Sequence, residues 1–321
     1  MRRLWLTVLP AILSFCAAGA FAQNYPNRAV RLIVPSSAGG GTDIVARLLG
    51  QKLSEQLGQQ FVIENRAGAG TMIGNDAVAK SAPDGYTLLM GLSTLAINPA
   101  MYANVPYDAL RDFAPISQAV SAPNVLTLHP SVPAKTVQEL IALAKAKPGS
   151  LTFGSAGLGT SPHLCGELFK AMAHVNFVLV PFKGSGQSII SQLAGEIAGN
   201  FQSLPTAMPY IKAGRLRGLG VTTAKRAQAL PDVPSIGESG LPGYEATQWF
   251  GLLAPAGTPR AVIDRLYQES SRALRNEEFR QRMTAEGLEV VAGTPEEFAA
   301  YIKAETVKWA QVIKAAGVKP Q

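Results

Sequence analysis

Short apolar runs and longer segments with helical spacing alternate along most of this chain. Residues 29–34, 61–63, 87–90, 151–153, 177–180 and 216–221 are compact, mostly apolar runs bounded by Gly, Pro or polar residues, the pattern of buried strands. Between them, Ile44, Val45, Leu48, Leu49, Leu53 and Leu57 fall on one helical face, and Leu140, Ile141 and Ala144 on another. Thr258-Pro259 predicts a helix start that turns Val262, Ile263, Leu266 and Leu274 inward. Thr294-Pro295-Glu296-Glu297 reads as a capping box with Pro at the first helical position. The stripe that follows it, Phe298, Ile302, Trp309 and Ile313, is core packing rather than a cofactor box. Strands alternating with helices predict an α/β fold with mostly parallel sheets flanked by helices.

The first residues follow a different rule. Arg2 and Arg3 precede an apolar run over residues 4–15, and Ala20-Phe21-Ala22 fits the small-residue site at which a signal peptide is cut. The run is shorter than the roughly 20 apolar residues a spanning helix needs. Residues 1–22 are therefore expected to be a signal peptide, cleaved after Ala22, that sends the protein to the periplasm. Bulky Phe15 before Cys16 argues against a lipid-modified cysteine.

Removing 22 of 321 residues leaves 299, enough for two domains. The formal charge falls from +7 to +5 with Arg2 and Arg3, a mild excess that favours anionic small molecules in a cleft. Lys212, Arg215, Arg217, Lys225 and Arg226 come nearest to a basic cluster, but without interleaved aromatics they read as solvated surface, so no nucleic acid is expected. With Cys16 removed, Cys165 has no intrachain partner and reads as a buried, inert thiol.

Two turns carry the candidate chemistry. Pro35-Ser-Ser-Ala-Gly-Gly-Gly41 follows a strand and opens a helix that Thr42 and Asp43 can cap. Gly154-Ser-Ala-Gly-Leu-Gly-Thr-Ser161 repeats the arrangement about 120 residues later, with His163 in the first helical turn. Residues without bulk bring backbone N–H groups close to a ligand, and a helix start adds a positive dipole end, which together favour an anion. Each turn alone is a weak signal, since Gly-rich turns often only turn. Catalytic patterns are missing: the first turn has no Lys-Ser/Thr of a phosphate-binding loop, and the surroundings of Ser155, Ser185 and Ser239 each lack a glycine of a G-x-S-x-G elbow. His129, His163 and His174 show no metal-ligand spacing, and Glu277-Glu278 and Glu296-Glu297 sit on helix surfaces or caps, so neither metal nor cofactor is expected.

Val34-Pro-Ser-Ser-Ala-Gly-Gly-Gly-Thr-Asp43, Val62-Ile-Glu-Asn-Arg-Ala-Gly-Ala-Gly70, Ala82-Pro-Asp-Gly-Tyr-Thr-Leu-Leu89, Pro106-Tyr-Asp108, Val180-Pro-Phe-Lys-Gly184, Leu230-Pro-Asp-Val-Pro234 and Leu253-Ala-Pro-Ala-Gly-Thr-Pro259, in that order, resemble the Bug/TctC family. These are periplasmic solute-binding proteins of tripartite tricarboxylate transporters. The resemblance implies a two-lobed type II periplasmic-binding-protein fold, with a ligand cleft between the lobes. The chain is expected to cross between lobes near residues 122–126 and return near 244–249. One lobe would hold residues 23–123 plus 247–321, the other residues 124–246.

The resemblance also implies that the two turns grip a small carboxylate, partly through water. Ser36, Ser37, Ala38, Gly39 and Gly40 come from the first turn, with Asp43 ordering it; Ser155, Ala156, Gly157, Thr160 and His163 come from the second. Ser93, Thr94 and Phe182 line the remaining wall. Family members often carry an aromatic residue where this chain has Ser36, and Asp at the positions of Ala198 and Gln202; Gln202 argues against an amino-acid ligand. The expected protein is a monomer that delivers its ligand to a permease of one large and one small membrane subunit. A sensor ectodomain as partner is the second reading, and a hydrolase or transferase using Ser155 or Asp43 with His163 a remote third.

Overall fold

A computed structural model describes residues 25–36, 38, 39, 41–155, 157, 159–182, 185–315 and 317 of the chain. The expected signal peptide lies outside the described residues. In chain order the first elements are β1 (Val30–Val34), α1 (Gly41–Leu57), β2 (Phe61–Asn65), a 3-10 turn (Ala69–Thr71), α2 (Met72–Ala79), β3 (Thr87–Leu92), α3 (Thr94–Met101) and β4 (Phe113–Ala122). Then come β5 (Asn124–Leu128), α4 (Val137–Ala146), β6 (Thr152–Ser155), α5 (Ser161–Ala173), β7 (Val178–Pro181), α6 (Ser185–Leu193), β8 (Gly199–Ser203), α7 (Leu204–Lys212) and β9 (Arg217–Val221). The chain continues through β10 (Gln248–Pro255), α8 (Arg260–Leu274), α9 (Glu277–Ala285), β11 (Glu289–Val290) and α10 (Pro295–Ala315).

Among the described residues the strands form two sheets, ordered β11-β4-β10-β3-β1-β2 and β7-β6-β8-β5-β9. In each, one interior strand, β10 or β5, runs against its neighbours on both sides. The sheets are thus mixed, yet β1, β2, β3 and β4 share one direction in the first sheet and β6, β7, β8 and β9 share one in the second. The expected α/β architecture holds, with the reversed strands marking where the chain enters or re-enters a sheet.

The six apolar runs all fall on strands, shifted by at most two residues at an end. β4, β5, β8, β10 and the two-residue β11 lie outside those runs. β4 carries Pro115, Ser117 and Gln118; its buried Ser117 is accommodated because Oγ donates to Gly293 O at 2.7 Å. β8 carries Asn200 and Gln202, both fully buried. In β4 and β8, polar residues inside the strand hide it from a search for apolar runs; β10 is apolar over Trp249–Pro255 and was not hidden in that way.

The predicted helix faces pack as their spacing requires. Val45, Leu49 and Leu53 of α1 join Leu266 and Leu274 of α8 on one face of the first sheet. The capping box forms: Thr294 N donates to Glu297 Oε2 at 2.8 Å, and Glu297 N to Thr294 Oγ1 at 3.1 Å. Beyond it, α10 serves both halves of the molecule. Phe298 and Ile302 enter the core around Trp249, the Phe298 and Trp249 rings meeting edge-on with centroids 5.2 Å apart. Trp309, Val312 and Ile313 enter the second core, built around Phe153, Phe169, Phe177 and Phe201. Between the two groups, buried Glu305 accepts from Trp309 Nε1 at 2.8 Å and pairs with Lys308, whose Nζ also donates to Glu245 O at 3.3 Å.

The chain passes from the first sheet to the second between Ala122 and Asn124, and the two passages lie side by side. Thr222 N donates to Asn124 O at 2.9 Å and Ala246 N to Thr222 O at 3.0 Å. Fully buried Cys165 sits against both, accepting from Asn124 Nδ2 and donating to Ala246 O, each at 3.4 Å. Burial pushes its thiol up to about 12, so it stays protonated and unreactive.

Candidate functional site

The first turn leaves the carboxyl end of β1. Asp43, 3 % exposed at the start of α1, ties it to two other elements. Oδ2 accepts from Gly39 N at 2.8 Å and from Arg47 Nε at 2.9 Å, while Oδ1 accepts from Asn65 Nδ2 at 3.0 Å. The same Asn65 amide donates to Ser36 O at 3.0 Å, pinning the other side of the turn to β2. Gly39 makes this possible by taking φ +81°, a conformation that L side chains rarely adopt. Burial pushes the Asp43 carboxyl up, but the hydrogen bonds from Arg47, Gly39 and Asn65 outweigh it, and the net shift is downward. Asp43 is therefore a fixed anion spent on holding the loop.

The second turn leaves β6 in the other sheet and is closed by neutral bonds of its own. Thr160 Oγ1 donates to Gly157 O at 2.6 Å, and Phe182 N donates to Ser155 O at 3.0 Å, bringing Phe182 beside the turn. Ser155 is fully buried and its Oγ has no partner. His163, 4 % exposed, likewise leaves Nδ1 unpartnered. Burial lowers the imidazole's basicity, with Glu167 acting to raise it and Lys170 to lower it; the ring is neutral at physiological pH.

Gln202 stands at the carboxyl end of β8. Its Nε2 donates to Ser185 O at 3.2 Å, while Oε1 is buried without a donor. Ser93, 2 % exposed, precedes α3, and Thr94 Oγ1 lies 2.7 Å from Thr71 Oγ1. The two halves meet here: a Cβ added to Gly159, which has φ +71°, would lie 2.9 Å from Met101 Cε at the far end of α3. The second turn thus abuts the helix that Ser93 and Thr94 begin.

The structure gathers Ser36, Ala38, Gly39 and Asp43 in one group, and Ser155, Gly157, Thr160 and Phe182 in another. Ser37, Gly40 and Ala156 lie outside the described residues. Sequence reasoning missed Arg47 and Asn65, although Asp43 and Arg47 stand at i and i+4 and Asn65 lies in the Glu-Asn-Arg motif. It also missed the buried, unpartnered atoms Asn124 Oδ1, Asn200 Oδ1, Thr247 Oγ1 and Trp249 Nε1.

A cavity of about 550 Å³ between α7 and α9, lined by Lys212, Gln228 and Arg280 among others, contains none of the candidate residues. Buried polar atoms awaiting partners mark a ligand site better than this open groove does. Among the described residues no cluster of three or more His, Cys, Asp or Glu can hold a metal ion, and no helix is long and apolar enough to cross a membrane.

Residues 45–318 match the family described as the tripartite tricarboxylate transporter family receptor, TctC. The chain is 37 % identical over 305 residues to the protein BugT of Bordetella pertussis, covering 94 % of each. It superposes on the R. palustris protein Rpa4515 with adipate at a TM-score of 0.80 and 37 % identity, covering 92 % of this chain and 100 % of that one. MatC of Rhodopseudomonas palustris with bound malate is similar at a TM-score of 0.75 and 31 % identity, covering 90 % and 100 % respectively.

Proposed function

The chain belongs to the TctC family of tripartite tricarboxylate transporter receptors, the Bug group of periplasmic binding proteins, and from that premise we propose that it captures a small carboxylate between its two Gly-rich turns. The observation that carries this reading is the placement of buried atoms without partners: Ser36 Oγ, Ser155 Oγ, His163 Nδ1 and Gln202 Oε1. Leaving such a group unpaired costs about 1–3 kcal/mol, a cost that a bound ligand removes. The adipate and malate held by two similar proteins give the carboxylate its support.

In this reading the carboxylate lies at the starts of α1 and α5, where backbone N–H groups and the dipole ends favour negative charge. Ser36, Ser37, Ala38, Gly39 and Gly40 approach from one lobe, with Asp43 holding their loop. Ser155, Ala156, Gly157, Thr160 and His163 approach from the other, and Ser93, Thr94, Phe182 and Gln202 complete the wall. The lobes comprise residues 23–123 with 247–321, and residues 124–246. The paired passages beside Cys165 are the axis about which they close. Ser155 Oγ makes no hydrogen bond to an imidazole, which favours binding over nucleophilic catalysis.

Residues 1–22 direct export to the periplasm, and a membrane permease of one large and one small subunit receives the ligand. A thermal-shift screen of residues 23–321 against mono-, di- and tricarboxylates tests the reading. A ligand at about a hundred times its dissociation constant adds about 2.7 kcal/mol of stability. A shift confined to one carboxylate class supports the proposal, and no shift from any carboxylate removes it.

A further inference from the structure

Four successive residues, Gly68, Ala69, Gly70 and Thr71, have positive φ, at +132°, +45°, +59° and +79°. Glycine takes such angles freely, but Thr71 carries a branched Cβ that crowds its own backbone there. A conformation this unfavourable persists only where its surroundings over-determine it. Here one buried network does so. Asn98 Nδ2 donates to Gly70 O at 2.8 Å and to Tyr107 Oη at 3.0 Å. Asn75 Nδ2 donates to Tyr107 Oη at 2.9 Å and to Thr71 Oγ1 at 3.2 Å, and Asn75, Asn98 and Tyr107 are all buried. Glycine would serve the turn without that crowding, so the use of a threonine lies in its hydroxyl. Beyond the network Thr71 Oγ1 meets one further partner, Thr94 Oγ1 at 2.7 Å.

Thr94 lies between the two Gly-rich turns. It opens α3 after β3, the parallel neighbour of β1, whose carboxyl end carries the first turn; the far end of α3 abuts Gly159 of the second. Unlike Ser93 beside it, Thr94 is only half-buried, so solvent reaches it. Its Oγ1 makes no other hydrogen bond among the described residues. The two hydroxyls carry two hydrogens and share one between them, while Asn75 already donates to Thr71 from inside the network. One O–H is left over. With Thr71 donating to Thr94, it belongs to Thr94, the member of the pair outside the network.

We propose that Thr71 is a positioning residue of the capture site, holding the Thr94 hydroxyl so that its O–H donates to a carboxylate oxygen of the ligand. The inference rests on the carboxylate-binding reading, in which Thr94 lines the wall, and adds the residue that aims it. The strained turn is then a fixed bracket whose cost is offset by a donor that needs no ordering when the ligand arrives.

Calorimetric titration of the ligand-stripped protein of residues 23–321 with acetate, succinate, malate, adipate and citrate identifies the tightest-binding acid, against which variants are compared. Thr71→Val keeps the branched shape and loses the hydroxyl, and its affinity should fall about tenfold. Thr71→Ser keeps the hydroxyl and should bind within about threefold of the unaltered protein. Thr94→Val should lose about tenfold or more, and the double variant should lose no more than Thr94→Val alone, because Thr71 acts through Thr94. A Thr71→Val variant that melts lower yet binds with unchanged affinity overturns the proposal, since the hydroxyl then serves only the fold. Losses that simply add in the double variant overturn it as well. Either result leaves carboxylate capture intact, whereas failure of the unaltered protein to bind any of these acids removes both readings.

Discussion

The two Gly-rich turns do the same geometric task with opposite economies. The first is fastened by a buried carboxylate that reaches its own backbone, its own helix and a neighbouring strand. The second is fastened by local bonds between neutral groups and leaves Ser155 Oγ and His163 Nδ1 without partners. Among the described residues the first turn leaves one unpartnered hydroxyl, Ser36 Oγ, whereas the second keeps the larger polar reserve. A binding protein gains from both, since a rigid half lowers the ordering cost of capture and a half with unsatisfied groups rewards closure.

The comparison breaks most readily at Asp43. Asp43→Ala should lower stability by about 2 kcal/mol, because it frees three donors at once while Arg47 remains half-exposed and able to reach water. Denaturant titration measures this. The pH dependence has a definite sign. The folded carboxyl titrates below the ordinary range, so its contribution is present above about pH 4 and is lost as pH falls through that range toward the folded value. The gap between the unaltered protein and Asp43→Asn should accordingly narrow in melts taken from pH 5 down to pH 3.

Ser155→Ala sharpens the contrast by reversing it. Removing a buried hydroxyl that has no partner should raise ligand-free stability by up to about 1 kcal/mol while weakening capture about tenfold. A loss of stability in that variant would show that the hydroxyl serves the fold. A smaller effect belongs to His163. Its imidazole is held below the ordinary value, so protonation opposes folding, and stability falls as pH drops below about 6.5. His163→Gln should flatten the melting profile between pH 7 and pH 5. The smallest effect is at Cys165, where iodoacetamide should leave the protein of residues 23–321 unlabelled at pH 8 while native and modify its one thiol after unfolding.

Much of the fold was legible because burial on both faces leaves a strand little choice but to be apolar, as in β3. β8 escaped because its polar residues face a helix that is itself polar on its buried side. Asn200 Nδ2 donates to Ser188 Oγ, and Thr127 Oγ1 donates to Gln192 Oε1 at 3.0 Å beneath α6. Neither partner marks the strand alone. At the site, glycines, hydroxyls and a helix start announce themselves in order along the chain. What Asp43 does with them depends on Arg47 and on Asn65, which lies 22 residues away and reaches it only through the pairing of β1 with β2. The orientation of the Gln202 amide was equally out of reach, because the Ser185 carbonyl that sets it is a main-chain atom that no residue type encodes.

The division of α10 between two cores reaches beyond the folded state. Neither core is finished until its part of α10 has been made, since Phe298 and Ile302 seal one half and Trp309, Val312 and Ile313 the other. A nascent chain that still lacks those side chains therefore leaves packing in both halves unfinished. The last helix of the chain is thus the piece that completes both halves at once.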